Sequence, residues 1–293
     1  MITATDPLRS LTDGRFRFQM ALRPGEGGAV FGPTLHHATV MAERSRLLAT
    51  TPSLYAAARA GLQDALAKTA QLVDRWLAAT GAPPVELPPP PADETADGLT
   101  TWCTLAGTQW EPDWMILRPD EDHIFRLAAG VVCFPSGWAL TDKMGCPLEE
   151  IHAPVPGLNE ALGRQIQTFL MRLKPEAVWL RDNWGLSADS ALNHHPSLKL
   201  RPLTASARLA ETWLRYEEQL LVRLPDSRDV LFGIRVGRVR LPEILPFPEV
   251  TRRLKTALES MPEHVARYKG IDAARPILLA QLTALMQPKA RLS

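Results

Sequence analysis

Residues 133–157 constrain the fold of this chain more than any other segment. They contain four prolines and three glycines, together with Trp138, Lys143 and His152. Proline removes a backbone hydrogen-bond donor, fixes φ and pushes the residue before it toward extended geometry. A long irregular loop is therefore predicted, and such loops inside compact domains are usually functional. His152 precedes Ala-Pro-Val-Pro, so its backbone is held stiffly, which suits a structural histidine as well as a ligand or an acid/base group.

Regular structure is predicted on both sides of this loop. Strand-forming residues predict two strands, at 110–117 and 123–134, and the second runs straight into the loop. Apolar residues at helical spacing predict an amphipathic helix over 158–174. A further strand at 177–184 is predicted to end in polar groups.

A β-hairpin is predicted from residues 213–224 and 230–236, because apolar and polar side chains alternate with period two in the first of these segments. Its polar row consists of Arg215, Glu217, Gln219 and Arg223. This row is either the solvated face of an antiparallel sheet or the polar wall of a pocket, and the pattern alone allows both.

The two ends of the chain are predicted to be mainly helical. A short strand at 16–22 and a helix at 39–48 are expected near the N-terminus. A long helix is expected from Pro52, as the first helical residue, to about residue 79. Apolar stripes predict further helices from Pro248 onward. A proline-rich segment at 82–98 favours polyproline II geometry and reads as a stiff surface connection.

These elements predict a single domain spanning residues 1–293. Its parts are a helical portion at about 1–81, the connection at 82–98, a sheet core at about 99–240 and a helical portion at about 241–293. A chain of 293 residues is long enough to bury a sizeable core, although length alone allows one large domain or two.

The charge balance points to no polyanionic partner. There are 33 basic and 32 acidic residues, for a formal net charge of +1, so we expect neither nucleic acid nor an anionic membrane as a partner. The first residues lack the pattern of a signal peptide, and no apolar stretch is long enough to span a bilayer. A cytoplasmic location is the resulting expectation.

Neither the cysteines nor the common short sequence motifs indicate a particular reaction or cofactor. Cys103, Cys133 and Cys146 are odd in number and widely spaced, and no Cys-x-x-Cys pair is present. Free thiols are therefore expected, and an iron–sulfur cluster held by this chain is not. Phosphate-loop, dinucleotide-binding, zinc-protease and nucleophile-elbow motifs do not occur.

Five motifs nevertheless occur in a distinctive order. They are Phe134-Pro-Ser-x-Trp138, Lys143-x-Gly145, Ile151-His152-x-Pro154-Val-Pro156-Gly157, Arg181-x-Asn183-Trp184 and Leu214-Arg215-x-Glu217-x-Gln219-Leu220-x-x-Arg223-Leu224-Pro225-x-Ser227. This set resembles the haem-dependent oxidative N-demethylase family. The resemblance extends to Met20-Ala-Leu-Arg-Pro24 near one end and Tyr268-Lys-Gly270 near the other, so it covers nearly the whole chain.

The resemblance implies an α+β fold with a PAS-like antiparallel β-sheet core, flanking helices and a bound haem b. It implies a reaction in which O₂ and electrons from a separate flavin/iron–sulfur reductase remove a methyl group from a small amine, releasing formaldehyde. His152 lies inside the family signature and is the expected ligand of the haem iron, with His123, His194 and His195 as alternatives.

The resemblance also implies the remaining site residues. Haem propionates need cationic partners, and the family-matching candidates are Lys143, Arg181, Arg215 and Arg223. Trp138 and Trp184 would pack on the macrocycle or belong to the core. Glu217 is the acidic residue of the polar row and would pair with a cationic amine.

One departure from the family pattern lies in the hairpin. This chain reads Glu217-Glu-Gln-Leu-Leu221, whereas the family usually reads Glu-Arg-Gln-Thr-Leu. Haem binding is compatible with this change, but the substrate is left open. Two alternatives to a demethylase therefore stand: a PAS-like sensor that binds haem or a small molecule, and a non-catalytic subunit.

Overall fold

One antiparallel sheet organises the molecule. The computed structural model describes residues 14–92 and 95–287. Within these residues the strands are β1 (Arg23–Pro24), β2 (Ala56–Ala58), β3 (Asp113–Pro119), β4 (Phe125–Val131), β5 (Trp179–Ser187), β6 (Trp213–Arg223) and β7 (Val230–Arg240). Their order across the sheet is β1-β5-β6-β7-β3-β4-β2, and each pair of neighbours is antiparallel.

Helices cover both faces of this sheet. In the same described residues they are α1 (Gly28–Phe31), α2 (His37–Thr50), α3 (Pro52–Tyr55), α4 (Gln63–Thr80), α5 (Ala96–Gly107), α6 (Leu148–His152), α7 (Leu158–Arg172), α8 (Leu241–Ile244), α9 (Pro248–Ser260), α10 (Glu263–Tyr268) and α11 (Arg275–Met286). The predicted α+β class is confirmed. None of the helices in the described part of the chain is both long and apolar enough to cross a bilayer.

Alternation along β3 divides the core into layers. Trp114 and Ile116 point into a hydrophobic cluster beneath α2, α4 and α5, whereas Met115 and Leu117 point into a second cluster that includes Leu170 of α7. A third cluster joins the ends of β5 and β6 to α9, α10 and α11. The sheet therefore lies between two helical layers, and the C-terminal helices cover its end.

Two predictions for the N-terminal part are wrong. Residues 16–22 form no strand, and the strand there is limited to Arg23–Pro24. The predicted helix from Pro52 is broken after Tyr55, because Ala56–Ala58 adds an edge strand to β4. Alanine favours helix intrinsically, but pairing with a neighbouring strand overrides that preference.

The loop at 133–157 is more regular than its composition predicts. It contains a 3₁₀ turn, Thr141–Lys143, and the one-turn helix α6. Pro147 precedes α6 in extended geometry, with a ψ of 156°. The residues from Leu148 to His152 contain no proline, so one helical turn fits before Pro154.

The proline-rich connection is held against the core. The indole Nε1 of Trp102 donates to the Pro88 carbonyl at 2.7 Å, and Val85 and Leu87 pack on the cluster beneath α2, α4 and α5. Helix α5 begins at Ala96, where the Thr95 side chain caps it by accepting from the Gly98 N–H at 3.1 Å. The first residues of the predicted sheet core are therefore helical.

Candidate functional site

Two adjoining cavities lie where β5 meets the end of α10. The large cavity has a volume of about 540 Å³ and the small cavity about 280 Å³. Residues Asn183, Trp184, Tyr268 and Lys269 line both of them. The two spaces are thus neighbouring chambers that share a wall.

The large cavity combines apolar walls with cations. Phe16 and Phe18 pack edge to face, with ring centroids 5.5 Å apart, and line it together with Leu158 and Leu162. Its charged lining consists of Arg15, Arg17, Arg23, Arg181, Asp182 and Lys269. Because the cations outnumber the single carboxylate, the large cavity is suited to a mainly apolar ligand that carries negative charge.

Arg181 is a cation of this cavity with an unsatisfied donor. It points to the sheet face opposite the buried Leu180, and its Nε is buried without a hydrogen-bond partner among the described residues. Burial lowers the pKa of Arg181, against the raising effects of Glu217 and Asp182. Since an unpaired buried donor is costly, Arg181 is a ready partner for an anionic ligand.

His152 lies at the corner between α6 and α7. Burial, followed by the positive charge of Arg181, lowers the pKa of His152 to about 4, so its imidazole is neutral near pH 7. Neutral imidazole is the form that binds metal. Val155 and Leu158 of the same corner line the large cavity, although His152 is not among the described residues that do.

Three residues of the polar row of β6, Arg215, Glu217 and Gln219, are buried, which favours a pocket wall over a solvated face at that part of the strand. Glu217 is 9% exposed and accepts hydrogen bonds from Ser136 at 2.6 Å, Asn183 at 3.2 Å and Gln219 at 2.7 Å. Burial raises the pKa of Glu217, but these hydrogen bonds and the charge of Arg215 outweigh it and hold that pKa below its ordinary value. The carboxylate at the small cavity is therefore ionised at neutral pH.

Arg215 of β6 forms hydrogen bonds to the loop at 133–157. Its guanidinium donates to the carbonyls of Leu192 at 2.6 Å and Phe134 at 2.7 Å and to the Ser136 hydroxyl at 3.2 Å. Burial lowers the pKa of Arg215 to about 10, so it remains a cation at neutral pH. Most of its donors thus bond to backbone carbonyls, and its Nε helps to position Ser136 beside Glu217.

Lys269 was not among the residues predicted from the sequence. Its ammonium group donates to the Trp184 carbonyl at 2.6 Å and the Asn183 side-chain oxygen at 3.4 Å, and lies 5.7 Å from the Trp184 ring centroid. Burial and the charge of Arg181 lower the pKa of Lys269 to about 8, although Glu217 opposes this. The family-like motif Tyr268-Lys-Gly270 is the sequence feature that could have indicated Lys269 as a site residue.

Three predicted site residues lie elsewhere. Lys143 ends a turn whose neighbour Gly145 bonds to Leu127 of β4, and β4 is four positions from β5 in the sheet. Trp138 packs in the cluster that contains Leu170. Arg223 lies at the far end of β6, roughly 26 Å along the strand from Arg215. Their cofactor-binding role stays a prediction.

The alternative iron ligands differ in their surroundings. His194 lines the small cavity, and its pKa is lowered first by burial and then by Arg215. His123 is in the turn between β3 and β4, 2.9 Å from the Arg228 guanidinium. His195 bonds Ser197 at 2.8 Å through Nδ1. Of these three, His194 alone lines one of the two cavities.

The structure is an α+β fold with two adjoining cavities, and the large cavity has apolar walls and several cations in its lining. The family described as haem-dependent oxidative N-demethylase, alpha subunit-like, matches residues 85–279, which is two thirds of the 293-residue chain. The chain therefore belongs to that family. The matched region contains His152, Arg181, Glu217 and Lys269.

The residues present fit a haem. The large cavity falls within the roughly 300–1,000 Å³ that is usual for cofactor sites. Its apolar walls suit a macrocycle, and Arg181 offers an unsatisfied donor to a carboxylate. His152 supplies a neutral imidazole, and the charge of Arg181 contributes to its lowered pKa.

Proposed function

We propose that this chain binds haem b in the large cavity and oxidatively demethylates a small amine. O₂ is the oxidant, and a separate flavin/iron–sulfur reductase supplies the electrons. The observation that carries the proposal is the buried Nε of Arg181, which has no hydrogen-bond partner among the described residues, in the lining of a cavity with apolar walls. The neutral imidazole of His152, whose pKa the charge of Arg181 helps to lower, supports it. Membership of the family supports the cofactor and the class of reaction.

The core in this proposal is PAS-like and belongs to a single domain over residues 1–293. Its support is the antiparallel sheet with helices against both faces. The edge strands β1 and β2 come from the N-terminal part of the chain, so that part and the central part share one sheet.

His152 holds the iron in this proposal. Helix α6 carries the imidazole, and Gly157, with a φ of +80°, turns the chain into α7 directly afterwards. Arg181 would bind a propionate, and Trp184 would pack against the cofactor. Among the predicted cations, Arg181 is the first choice because the donors of Arg215 are engaged with loop carbonyls.

Bound haem supplies O₂ activation. In the net reaction, one oxygen atom of O₂ would appear in formaldehyde and the other in water, and two electrons and two protons would come from outside the chain. The N-methyl group would leave as formaldehyde, and the shortened amine would remain. Glu217, ionised and held by three donors, would accept an amine N–H and so orient the methyl group.

The test is formaldehyde release by the haem-loaded protein with dimethylamine, O₂ and a reductant. We expect formation to require all three, and E217Q to lower kcat/KM by about 10- to 100-fold, because a charged hydrogen bond is worth roughly 1.5–3 kcal/mol. A Soret band without formaldehyde would favour the sensor alternative. No Soret band after haem supply would favour a non-catalytic subunit.

A further inference from the structure

The small cavity contains charges of both signs. Arg215, Glu217 and Lys269 line it, together with Ser136 and His194. One carboxylate thus faces two basic groups in a buried space. An excess charge away from water is costly unless a ligand offsets it, so the small cavity favours a ligand that brings a negative group.

The large cavity does not require Lys269 for its own ligand. Arg15, Arg17, Arg23 and Arg181 line it against Asp182 alone, and Asp182 pairs with Arg23 at 2.6 Å. The buried Nε of Arg181 has no hydrogen-bond partner among the described residues, so Arg181 remains for a cofactor carboxylate. The charge of Lys269 is available to whatever occupies the neighbouring chamber.

Glu217 and Lys269 each keep one hydrogen-bonding position that no described residue fills. Glu217 accepts three bonds, and a carboxylate has about four lone-pair sites. Lys269 donates two of its three N–H groups to Trp184 and Asn183, and the third has no acceptor among the described residues. The small cavity offers one acceptor to an amine and one charged donor to a carboxylate.

We propose that the substrate bound in the small cavity is a small N-methylated amino acid, with its amine at Glu217 and its carboxylate at Lys269. The volume of about 280 Å³ suits a ligand the size of N-methylglycine. This inference rests on the proposed demethylation. N-methylglycine, O₂, two electrons and two protons would give glycine, formaldehyde and water, with the electrons from the external reductase.

The test compares three ligands on the haem-loaded wild-type protein: N-methylglycine, N-methylglycinamide and dimethylamine. Calorimetry gives the affinities, and formaldehyde release gives kcat/KM. We expect N-methylglycine to bind at least about tenfold more tightly than its amide, as one charged hydrogen bond implies. Equal or tighter binding of the amide or of dimethylamine would overturn the proposal.

The two readouts separate this inference from the proposed function. Formaldehyde from dimethylamine, with no preference for the carboxylate, rejects the amino-acid substrate and leaves demethylation standing. A binding preference without formaldehyde from any ligand rejects the reaction and keeps the ligand class.

Lys269→Met tests the carboxylate partner directly. We expect it to abolish the preference for N-methylglycine over the amide, and Lys269→Arg to restore part of that preference. Lys174→Met, at an exposed lysine, is the matched control and should keep the wild-type ratio. An unchanged ratio in Lys269→Met, with a normal Soret band, would reject the role of Lys269.

Discussion

At the scale of single residues, the charged groups of the site differ in how completely their hydrogen bonds are satisfied. Glu217 is surrounded by donors, whereas Arg181 retains an unsatisfied Nε. The resemblance carried by the ordered motifs indicated both residues, and the period-two pattern of β6 also indicated Glu217. They did not identify Lys269, since its contacts to Asn183 and Trp184 join segments about 85 residues apart.

Because the pKa of Lys269 is lowered in the folded chain, we expect the free energy of unfolding to depend on pH. Its pKa is about 8 in the folded chain against 10.5 ordinarily. Between these values the unfolded chain holds one more proton, so the free energy of unfolding rises with pH, by at most about 3 kcal/mol. Urea unfolding over this range should show the rise in the wild type relative to Lys269→Met. Parallel pH profiles for the two proteins would contradict this.

The pair of Arg44 and Asp113 predicts a large loss of stability on mutation. Arg44 is fully buried and donates to Asp113 at 2.6 Å, and Asp113 also accepts the N–H groups of Cys133 and Phe134 where the loop begins. Arg44→Met leaves a buried carboxylate without its cation. We expect it to lower the free energy of unfolding by about 3–5 kcal/mol in urea denaturation.

The neighbouring Arg46 is the matched control for this prediction. It pairs with Glu43 at the surface, with 58% of its side chain exposed. Arg46→Met should change stability far less than Arg44→Met does, because an exposed ion pair is screened by water. Similar losses in Arg44→Met and Arg46→Met would show that the buried pair has no special role.

At the scale of elements, the corner between α6 and α7 sets the position of His152. Gly157 precedes α7 with a φ of +80°, which other residues adopt only with strain. A Cβ added there would approach Phe18 no closer than 3.4 Å, so space is not the constraint. Gly157→Ala should lower the free energy of unfolding by about 1–2 kcal/mol, measured by urea denaturation.

At Gly163, inside α7, we expect a glycine-to-alanine substitution to raise the free energy of unfolding instead of lowering it. A Cβ there would meet no atom closer than 3.9 Å, and its backbone is helical. Gly163→Ala should stabilise the protein by up to about 1 kcal/mol. A stabilising effect of Gly157→Ala as well would contradict the account of the corner.

The elements themselves were predicted best where periodicity is long. Helix α7 and the β6–β7 hairpin follow their patterns closely, because each buries one face over many residues. Prediction failed at Ala56–Ala58, where a helix-favouring run joins the edge of β4. It failed also at 148–152, where one helical turn fits between prolines. The strand at Ala56–Ala58 depends on pairing with β4, which is distant in sequence. The turn at 148–152 depends on the spacing of the prolines around it.

At the scale of the whole molecule, the site depends on the sheet order. β5 and β6 bring Arg181, Asn183 and Glu217 together. The α6–α7 corner lines the large cavity, and the end of α10 lines both cavities. The order of the motifs along the chain indicated which residues matter. It gave no distances, so Lys143 and Arg223 were grouped with Arg181. Lys143 in fact ends a turn beside β4, and Arg223 lies at the far end of β6.

The absorption spectrum of haem-loaded protein tests the central claim most directly. We expect a Soret band in the wild type and its shift or loss in His152→Ala, because the neutral imidazole is the proposed iron ligand. His123→Ala, in the turn between β3 and β4, is the matched control and should leave the band unchanged. A His152→Ala spectrum identical to that of the wild type would contradict the account, and a change in His194→Ala instead would move the ligand to the small cavity.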